Sequence, residues 1–250
     1  MTESAKKRYY EPAPQDIDVA NFKQVVASRR SVRKFTDKPI PADVLDDCLD
    51  MALLAPNSSN LQPWTFYVVQ DPVKKQQIVK ACLNQWAART AAELIVCVAR
   101  TDRIDQMAKL NIEEFPFPEI PPLVKRYYTY IPLNYKTGLF NALGNFKKVT
   151  FKFARTFNKQ LPVTAFTPAD AKLWAAKTTA LACENLVLAF RAHGFDTCMM
   201  EGFDEPLVCK TVGLNDQEFP IMVIGAGERA KDGVFFPQYR FDRDLFIKKI

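Results

Sequence analysis

A short basic stretch near the start of this 250-residue chain has the residue types that bind a phosphate group. It reads ASRRSVRKF, and its polar side chains are those of Ser28, Arg29, Arg30, Ser31, Arg33 and Lys34. Planar guanidinium groups bind phosphate oxygens in bidentate fashion, and a serine hydroxyl adds another donor. Three explanations fit this density of charge: contact with nucleic acid, a targeting signal, or a site for one small phosphate.

A second polar stretch, APNSSNLQPW at residues 55–64, offers neutral hydrogen-bonding groups. It lies between a helical pattern and a strand-like run, so it can be a helix C-cap and turn, with Pro63 setting the entry into the strand. Its amide and hydroxyl groups equally suit the recognition of a polar heterocycle. Neither stretch alone decides between these interpretations.

The composition argues against several classes of protein. A net charge of +6 and a pI near 8.9 are too mildly basic to imply nucleic-acid binding. No apolar run is long enough for a transmembrane helix, and residues 1–17 lack the apolar core of a secretory signal, so they are interpreted as a solvated lead-in. The cysteines lie mostly in apolar runs without a CxxC pair, and His193 is the only histidine. These features predict a reduced, cytoplasmic compartment and no metal site.

Familiar catalytic and nucleotide-binding motifs are absent or incomplete. GAGERA at residues 225–230 matches G-x-G-x-x-A after a strand, but too few residues follow for the helix and second strand of a dinucleotide fold. Its glycines are therefore interpreted as the exit of a strand into a turn. The sequence has neither a P-loop nor G-x-S-x-G, and His193 is interpreted as a partner of a helix dipole rather than a base.

Hydrophobic periodicity predicts a mixture of helices and strands, and hence an α/β or α+β domain. Helices are predicted at residues 18–29, 42–55, 73–83 and 169–193, strands at 65–70, 94–100 and 219–227, and the tail RFDRDLFIKKI could add an edge strand. Residues 18–250 are interpreted as one domain that carries an insertion at 101–166. The insertion contains FPFPEIPP, many aromatic residues and, over residues 125–159, no Asp or Glu, and it is too poor in aliphatic residues to own a core.

Together the two polar stretches resemble the FMN-dependent nitroreductase family, also called the nitro/flavin reductases. R-R-S-x-R, followed by an aromatic residue, ends the first predicted helix, and P-N-S-S-N-L-Q-P-W follows about 25 residues later, before a strand. The C-terminal half adds AHGFDTCMMEGFD after a long apolar helix, then PIMVIGAG and FFPQYRF. The resemblance covers residues from about 20 to 100 and from 167 to 240, and the insertion lies outside it.

The resemblance implies an α+β fold: a three-layer sandwich with a mostly antiparallel central sheet flanked by helices, assembled as an intertwined homodimer. One FMN would lie at each end of the subunit interface. The long helix at about 169–193 would be an interface helix, which agrees with its apolar character. The tail at about 238–250 would reach the partner subunit.

The resemblance also assigns residues to the FMN. The phosphate and ribityl chain would be bound by Arg29, Arg30, Ser31 and Arg240, with Gln238 where the family often has a lysine. The pyrimidine edge would be contacted by Arg33 and by either Asn84 or Gln85, between which spacing does not choose. The loop residues that approach from the other subunit would be Pro56, Asn57, Ser58 and Asn60. Backbone groups of Glu201 and Gly202 would lie near flavin N5, and Lys34 is left to solvent.

The implied activity is a ping-pong transfer of hydride from NADH or NADPH, through flavin N5, to a nitroaromatic or a quinone. Because the cofactor carries the chemistry, no protein side chain is assigned a catalytic role. Three alternatives remain: reductive dehalogenation or another flavin reaction on the same fold, a peripheral-membrane quinone reductase, and, outside enzymes, a basic protein that binds nucleic acid or membrane through the insertion. The second rests on residues 139–158, which form a basic amphipathic pattern. Packing of this helix on the core as a lid is favoured over membrane contact.

Overall fold

A four-stranded antiparallel sheet forms the centre of the computed structural model, which describes residues 11–157, 159–161 and 164–250. Its strands are β1 (Trp64–Val68), β2 (Glu93–Arg100), β3 (Asp196–Met200) and β4 (Glu218–Gly227). The order across the sheet is β1-β2-β4-β3, and every neighbouring pair is antiparallel. The GAGERA glycines do end a strand, because β4 stops at Gly227 and no helix follows it.

Ten helices surround the sheet in the described residues. They are α1 (Val19–Ser28), α2 (Ala42–Leu53), α3 (Pro72–Ala81), α4 (Trp86–Thr90), α5 (Ile104–Glu113), α6 (Pro122–Tyr130), α7 (Pro132–Tyr135), α8 (Ala142–Thr156), α9 (Pro168–Ala192) and α10 (Glu205–Val212). The long helix α9 begins with a capping box. The Thr167 side chain accepts a hydrogen bond from the backbone N–H of Asp170, and the Asp170 carboxylate accepts one from the backbone N–H of Thr167. It ends before Gly194, which has a φ of +86°.

The two faces of the sheet are covered by different helices. Along β2, Leu94, Val96 and Val98 pack with residues of α3, α4 and α10. Ile95 and Cys97 point to the opposite face and pack with α2 and α9. This alternation follows from the two-residue period of a strand, and it makes β2 buried on both sides. The predicted α+β sandwich of three layers is therefore confirmed.

A buried cluster of charges links the C-terminal end of β2 to β4. The Arg100 guanidinium donates to both oxygens of Asp102, at 2.8 and 2.6 Å, and lies 2.9 Å from a Glu218 oxygen. The side chains of Arg100 and Glu218 are only 6% and 7% exposed. Hydrogen bonds from Arg100 hold the pKa of Asp102 below its ordinary value. Such a cluster is stable only while its charges remain balanced.

The insertion at 101–166 is helical, and it does contribute an apolar cluster. Ile104, Ala108 and Ile131 are buried together with Leu61 of the second polar stretch, and Trp174 of α9 packs against them. Leu61 and Trp174 come from outside the insertion, so the cluster is shared with the rest of the domain and is not a core of the insertion's own. Lys147 of α8 adds a polar tie by donating to the backbone carbonyls of four residues: Leu133, Asn134, Lys136 and Ala165.

Helix α8 does not pack its apolar face on the core, contrary to the lid expectation. Phe146, Val149, Phe153 and Phe157 lie on one side of the helix and are each about two-thirds exposed. Gly144 is the residue of α8 that is buried, because its Cα approaches the Phe166 carbonyl too closely for any Cβ. Asn158, the last residue of the predicted amphipathic pattern, lies outside the described residues.

The chain ends are largely exposed. Residues 11–17 have no regular structure, which agrees with the lead-in as far as it is described, since residues 1–10 lie outside the described part. Residues 238–250 are all exposed, and the predicted edge strand is wrong: Arg243–Leu245 form one 3₁₀ turn and no strand. Among the described helices, none is both long and apolar enough to cross a membrane. The cytoplasmic location stays a prediction.

Candidate functional site

The basic stretch runs as an extended segment along the open edge of β3. Helix α1 ends at Ser28, and Ser31 then forms a parallel bridge with Thr197, with the Val32 N–H donating to the Thr197 carbonyl at 3.0 Å. The Arg33 N–H donates to the Gly233 carbonyl at 2.7 Å. Val32 is fully buried, so this segment is anchored by both its backbone and its apolar residue.

A buried carboxylate holds the start of this segment in place. Asp196 at the beginning of β3 is 3% exposed and accepts two hydrogen bonds from Arg229, at 3.0 and 2.6 Å. Arg191 at the end of α9 adds a third, at 2.9 Å. Arg229 also reaches the carbonyl of Ser28, at 3.4 Å, directly before Arg29. The cluster therefore fixes where the arginine-rich segment leaves α1.

All of the residues predicted to bind the phosphate and ribityl chain line one cavity of about 370 Å³. Its lining residues are Arg29, Arg30, Ser31, Arg33, Val234, Phe235, Phe236, Pro237, Gln238, Tyr239 and Arg240. Arg30 donates to the carbonyl of Phe236, which joins the two walls. No Asp or Glu is among the lining residues, and within the described ranges no salt bridge engages any of these four arginines. Four uncompensated guanidinium groups around a cavity make an anion site.

Arg33 points toward the sheet, where its Nη1 lies 3.2 Å from the Cys198 sulfur. Burial raises the pKa of the Cys198 thiol by more than the nearby guanidinium lowers it. The thiol therefore stays protonated at neutral pH and acts as an uncharged neighbour, not as a nucleophile. Cys82 and Cys48 are alike in this respect, because burial raises their pKa values to about 11 and about 12.

Gln85, and not Asn84, lies beside the short segment that follows β3. The Gln85 side-chain amide donates to the Gly202 carbonyl at 3.1 Å. Asn84 has a left-handed backbone with φ +54° and lines a separate pocket with Lys75 and Arg89. Glu201 is exposed at the same place, and a Cβ added to Gly202 would meet nothing closer than the Gln85 amide, 4.0 Å away. A planar ligand can therefore approach this backbone closely.

Lys34 does have protein partners, so its assignment to solvent is wrong. Its ammonium lies 2.7 Å from Asp232 and 5.6 Å from the centre of the Trp86 ring. The basic stretch is thus divided: its arginines line the anion cavity, and its lysine is neutralised by a carboxylate. Only the folded chain shows this division, because Asp232 is almost 200 residues away in sequence.

The second polar stretch forms part of a different cavity. Pro56, Asn57 and Ser58 line a space of about 740 Å³ together with residues of the insertion and of α9, among them Tyr135 and Trp174. Asn60 lies outside it, bonded to Asn111 of α5. Within one chain, therefore, the structure does not bring the loop residues to the arginine cavity.

Several residues that line these cavities or contact the second polar stretch were not assigned to a site from the sequence. The wall at 234–237 directly precedes Gln238 and Arg240, so its nearness to them was readable from the sequence. Asn111, Tyr127 and Tyr135 contact the second stretch through their side chains, but they lie in the insertion, which no motif covers. Their role depends on tertiary packing alone.

Fold and cavity together define an α+β domain with an arginine-lined anion site beside the edge strand of its antiparallel sheet. The chain belongs to the nitroreductase family, whose model matches residues 26–228. YdgI of Bacillus subtilis, named as an NAD(P)H nitroreductase, is 25% identical over 236 residues, which cover 93% of this chain and 99% of that protein. An iodotyrosine deiodinase of Haliscomenobacter hydrossis is 38% identical, but over 72 residues, 29% of this chain and 32% of that one.

Solved structures share the fold over nearly the whole chain. One is a protein of Exiguobacterium sibiricum that is assigned as a nitroreductase and was crystallised in complex with FMN. It superposes with a TM-score of 0.69 at 22% identity and covers 92% of this chain and 97% of its own. At that identity the likeness establishes the fold.

Proposed function

We propose that the protein is an FMN-dependent oxidoreductase that passes hydride from NADH or NADPH to an electron-poor aromatic acceptor, a nitroaromatic or a quinone. The observation that carries the proposal is the cavity whose four arginines have no carboxylate among its lining residues. A flavin mononucleotide supplies a dianionic phosphate that matches this donor set. The family membership and the FMN-bound structure of the same fold support the choice of this anion.

Arg29, Arg30, Ser31 and Arg240 are the residues proposed to bind the FMN phosphate and ribityl chain. Backbone hydrogen bonds anchor the segment at 29–33, so binding does not have to order its main chain. Gln238 lines the same cavity and offers an uncharged donor where a lysine is common in the family. The proposed phosphate site therefore has all of its arginines, but it has Gln238 in place of the lysine.

The remaining contacts are proposed for the flavin ring. Bound FMN would supply the hydride transfer at its N5, and the protein supplies binding and electrostatics. Arg33 is proposed to lie near the pyrimidine edge, where its cation would stabilise negative charge. Gln85 is preferred to Asn84 for the same edge, because its amide lies beside Gly202. The backbone of Glu201 and Gly202 is proposed to approach the ring.

The loop residues Pro56, Asn57, Ser58 and Asn60 are proposed to reach the FMN of a partner subunit. Their separation from the arginine cavity within one chain supports this arrangement. Helix α1 has no buried residue, the apolar side chains of α9 include the exposed Leu173 and Leu181, and residues 238–250 are exposed. A homodimer would cover these surfaces, with α9 at the interface.

The first test is the cofactor itself. We expect the purified protein to be yellow, with a flavin absorbance maximum at about 450 nm, and to bind one FMN per chain. Steady-state assays should then compare nitroaromatics, quinones and halogenated phenols, each with NADH and with NADPH. Turnover with release of halide from the phenols alone would select reductive dehalogenation, the alternative that the deiodinase relative favours. A colourless protein that takes up no added FMN would contradict the proposal.

A second candidate, a reductase that works at a membrane surface, is favoured by the exposed face of α8. This face carries Phe146, Val149, Phe153 and Phe157, and the surrounding residues 125–159 contain no acidic side chain. Basic helices with such a face bind anionic lipid surfaces. A quinone dissolved in the lipid would then be the acceptor.

The lipid candidate predicts that the protein co-sediments with vesicles of anionic lipid and that Val149→Asp lowers the bound fraction several-fold. Val73→Asp is the matched control, because Val73 is equally exposed on a helix, at 64% against 68% for Val149. Point substitutions are preferable to deletion of the insertion, since the insertion shares buried residues with the domain. Equal binding of both variants, or no binding of the parent protein, would reject the lipid candidate.

A further inference from the structure

Four consecutive residues of the second polar stretch are each held by the insertion. The hydroxyl of Ser58 lies 3.4 Å from that of Tyr135 on α7, and the hydroxyl of Ser59 is hydrogen-bonded to that of Tyr127 on α6. Asn60 exchanges two hydrogen bonds with Asn111 on α5, at 2.8 and 2.9 Å. Leu61, 1% exposed, is buried in the insertion's apolar cluster. Three helices therefore contact four successive residues in order.

The backbone of this stretch needs such support. Ser59, Asn60 and Gln62 have φ values of 60°, 49° and 42°. These values lie in the left-handed region, which is unfavourable for residues other than glycine. Inside the stretch, the Gln62 N–H donates to the Asn57 carboxamide at 3.0 Å and the Gln62 side chain donates to that of Asn60 at 3.2 Å. The backbone adds bonds from Leu61 to Ser58, at 3.3 Å, and from Trp64 to Gln62, at 2.8 Å. A strained loop persists only where its surroundings determine it, and here the surroundings are the insertion.

We propose that Asn111, Tyr127 and Tyr135 are positioning residues for the cofactor site of the partner subunit. This inference rests on the proposed function, in which Pro56, Asn57, Ser58 and Asn60 contact the partner's FMN. The three residues touch this loop and would act on the cofactor through it. The insertion, which the family motifs do not cover, is then a component of the FMN site across the interface.

The inference predicts weaker FMN binding when the Tyr127 hydroxyl and the Asn111 amide are removed without change elsewhere. Tyr127→Phe deletes the hydroxyl that bonds Ser59, and we expect a roughly 2- to 10-fold higher Kd for FMN, the effect of one hydrogen bond. The double variant Tyr127→Phe/Asn111→Ala should lose roughly 10- to 100-fold. Kd is measured by fluorescence titration of the apoprotein, and thermal unfolding of each apoprotein checks that the fold is kept.

The helices provide matched controls. Tyr130→Phe removes a hydroxyl from the same helix as Tyr127, and Tyr130 has no hydrogen-bond partner among the described residues. Gln106→Ala shortens an exposed amide on the same helix as Asn111. Both controls should bind FMN as the parent protein does. If the double variant does so too, the positioning role is rejected.

Mixed dimers distinguish action across the interface from simple damage to one chain. A differently tagged Arg29→Ala chain is co-expressed with the Tyr127→Phe/Asn111→Ala chain, and the heterodimer is isolated through both tags. If the loop serves the partner's site, one site combines both defects and the other is of parent composition. Half of the sites should then bind FMN with the parent Kd. If the loop serves its own chain, each site carries one defect and no site retains the parent Kd.

The outcomes separate the inference from the proposed function. A parent protein that binds no FMN overturns the proposed function itself. A parent protein that binds FMN, together with a double variant of unchanged Kd or a mixed dimer without any parent-like site, leaves the proposed function standing and overturns the inference.

Discussion

Replacing Arg29 by alanine is expected to raise the Kd for FMN roughly 100-fold while the fold is kept. Arg29 is half-buried at the end of α1 and lines the cavity that has no carboxylate among its lining residues. Removing a guanidinium from a phosphate costs about 3 kcal/mol of binding, because two charge-assisted hydrogen bonds are lost and the neighbouring arginines compensate only in part. Titration of the apoprotein with FMN, followed by flavin fluorescence, measures the change.

The control for Arg29→Ala is Arg155→Ala, which removes the same charge from an exposed position on α8. It should leave the Kd for FMN unchanged, so any general effect of net charge is subtracted. Raising the salt concentration should weaken FMN binding to the parent protein more than to Arg29→Ala, because fewer charges contribute in the variant. Full flavin occupancy of purified Arg29→Ala would show that the phosphate is bound elsewhere.

The second large effect is on stability. Arg100→Met is expected to lower the free energy of unfolding by about 3 to 5 kcal/mol, because it leaves the buried Glu218 without its counter-ion. Arg100 is 5% exposed and also donates to Thr65 at 3.0 Å, so β1, β2 and β4 all lose a contact. Urea unfolding followed by circular dichroism, with linear extrapolation, gives the value.

A double variant tests the reason for this loss. Glu218→Gln removes the charge and retains a side-chain oxygen that can accept from Asn215. Arg100→Met/Glu218→Gln should therefore be more stable than Arg100→Met alone. Lys109→Met breaks an exposed ion pair with Glu113 and should change stability by no more than about 0.5 kcal/mol. If Arg100→Met falls in that range as well, the cluster contributes nothing to the fold.

The core of the fold was readable from local pattern. The apolar run at 94–100 has the length and composition of a buried strand, and β2 is buried on both faces. Thr167, Pro168 and Asp170 have the chemistry of a helix start, and α9 begins there with the full capping box. The helix start is readable because the capping residues satisfy each other's hydrogen bonds locally. The strand is readable because a continuous apolar run of this length suits burial on both faces, although its hydrogen-bond partners in β1 and β4 are distant in sequence.

Patterns that depend on distant partners were less reliable. The amphipathic pattern of α8 predicted an apolar face but not whether anything covers it, and among the described residues its apolar side chains stay about two-thirds exposed. The alternating tail looked like a strand, but no strand of the described residues pairs with it, and residues 238–250 have one 3₁₀ turn and otherwise no regular structure. Lys34 was assigned to solvent because Asp232 cannot be found by spacing.

By itself, the sequence determined the family, the layered α+β domain and the group of arginines that makes an anion site. These follow from short motifs and local hydrophobic patterns, whose residues are close together in the sequence. Only the tertiary structure decided that Gln85 rather than Asn84 lies beside Gly202, and that the two polar stretches line separate cavities in one chain. It also showed that Asn111, Tyr127 and Tyr135 contact the strained loop. The physical reason is that hydrogen bonds between residues far apart in the chain form only once the sheet and helices have placed them together.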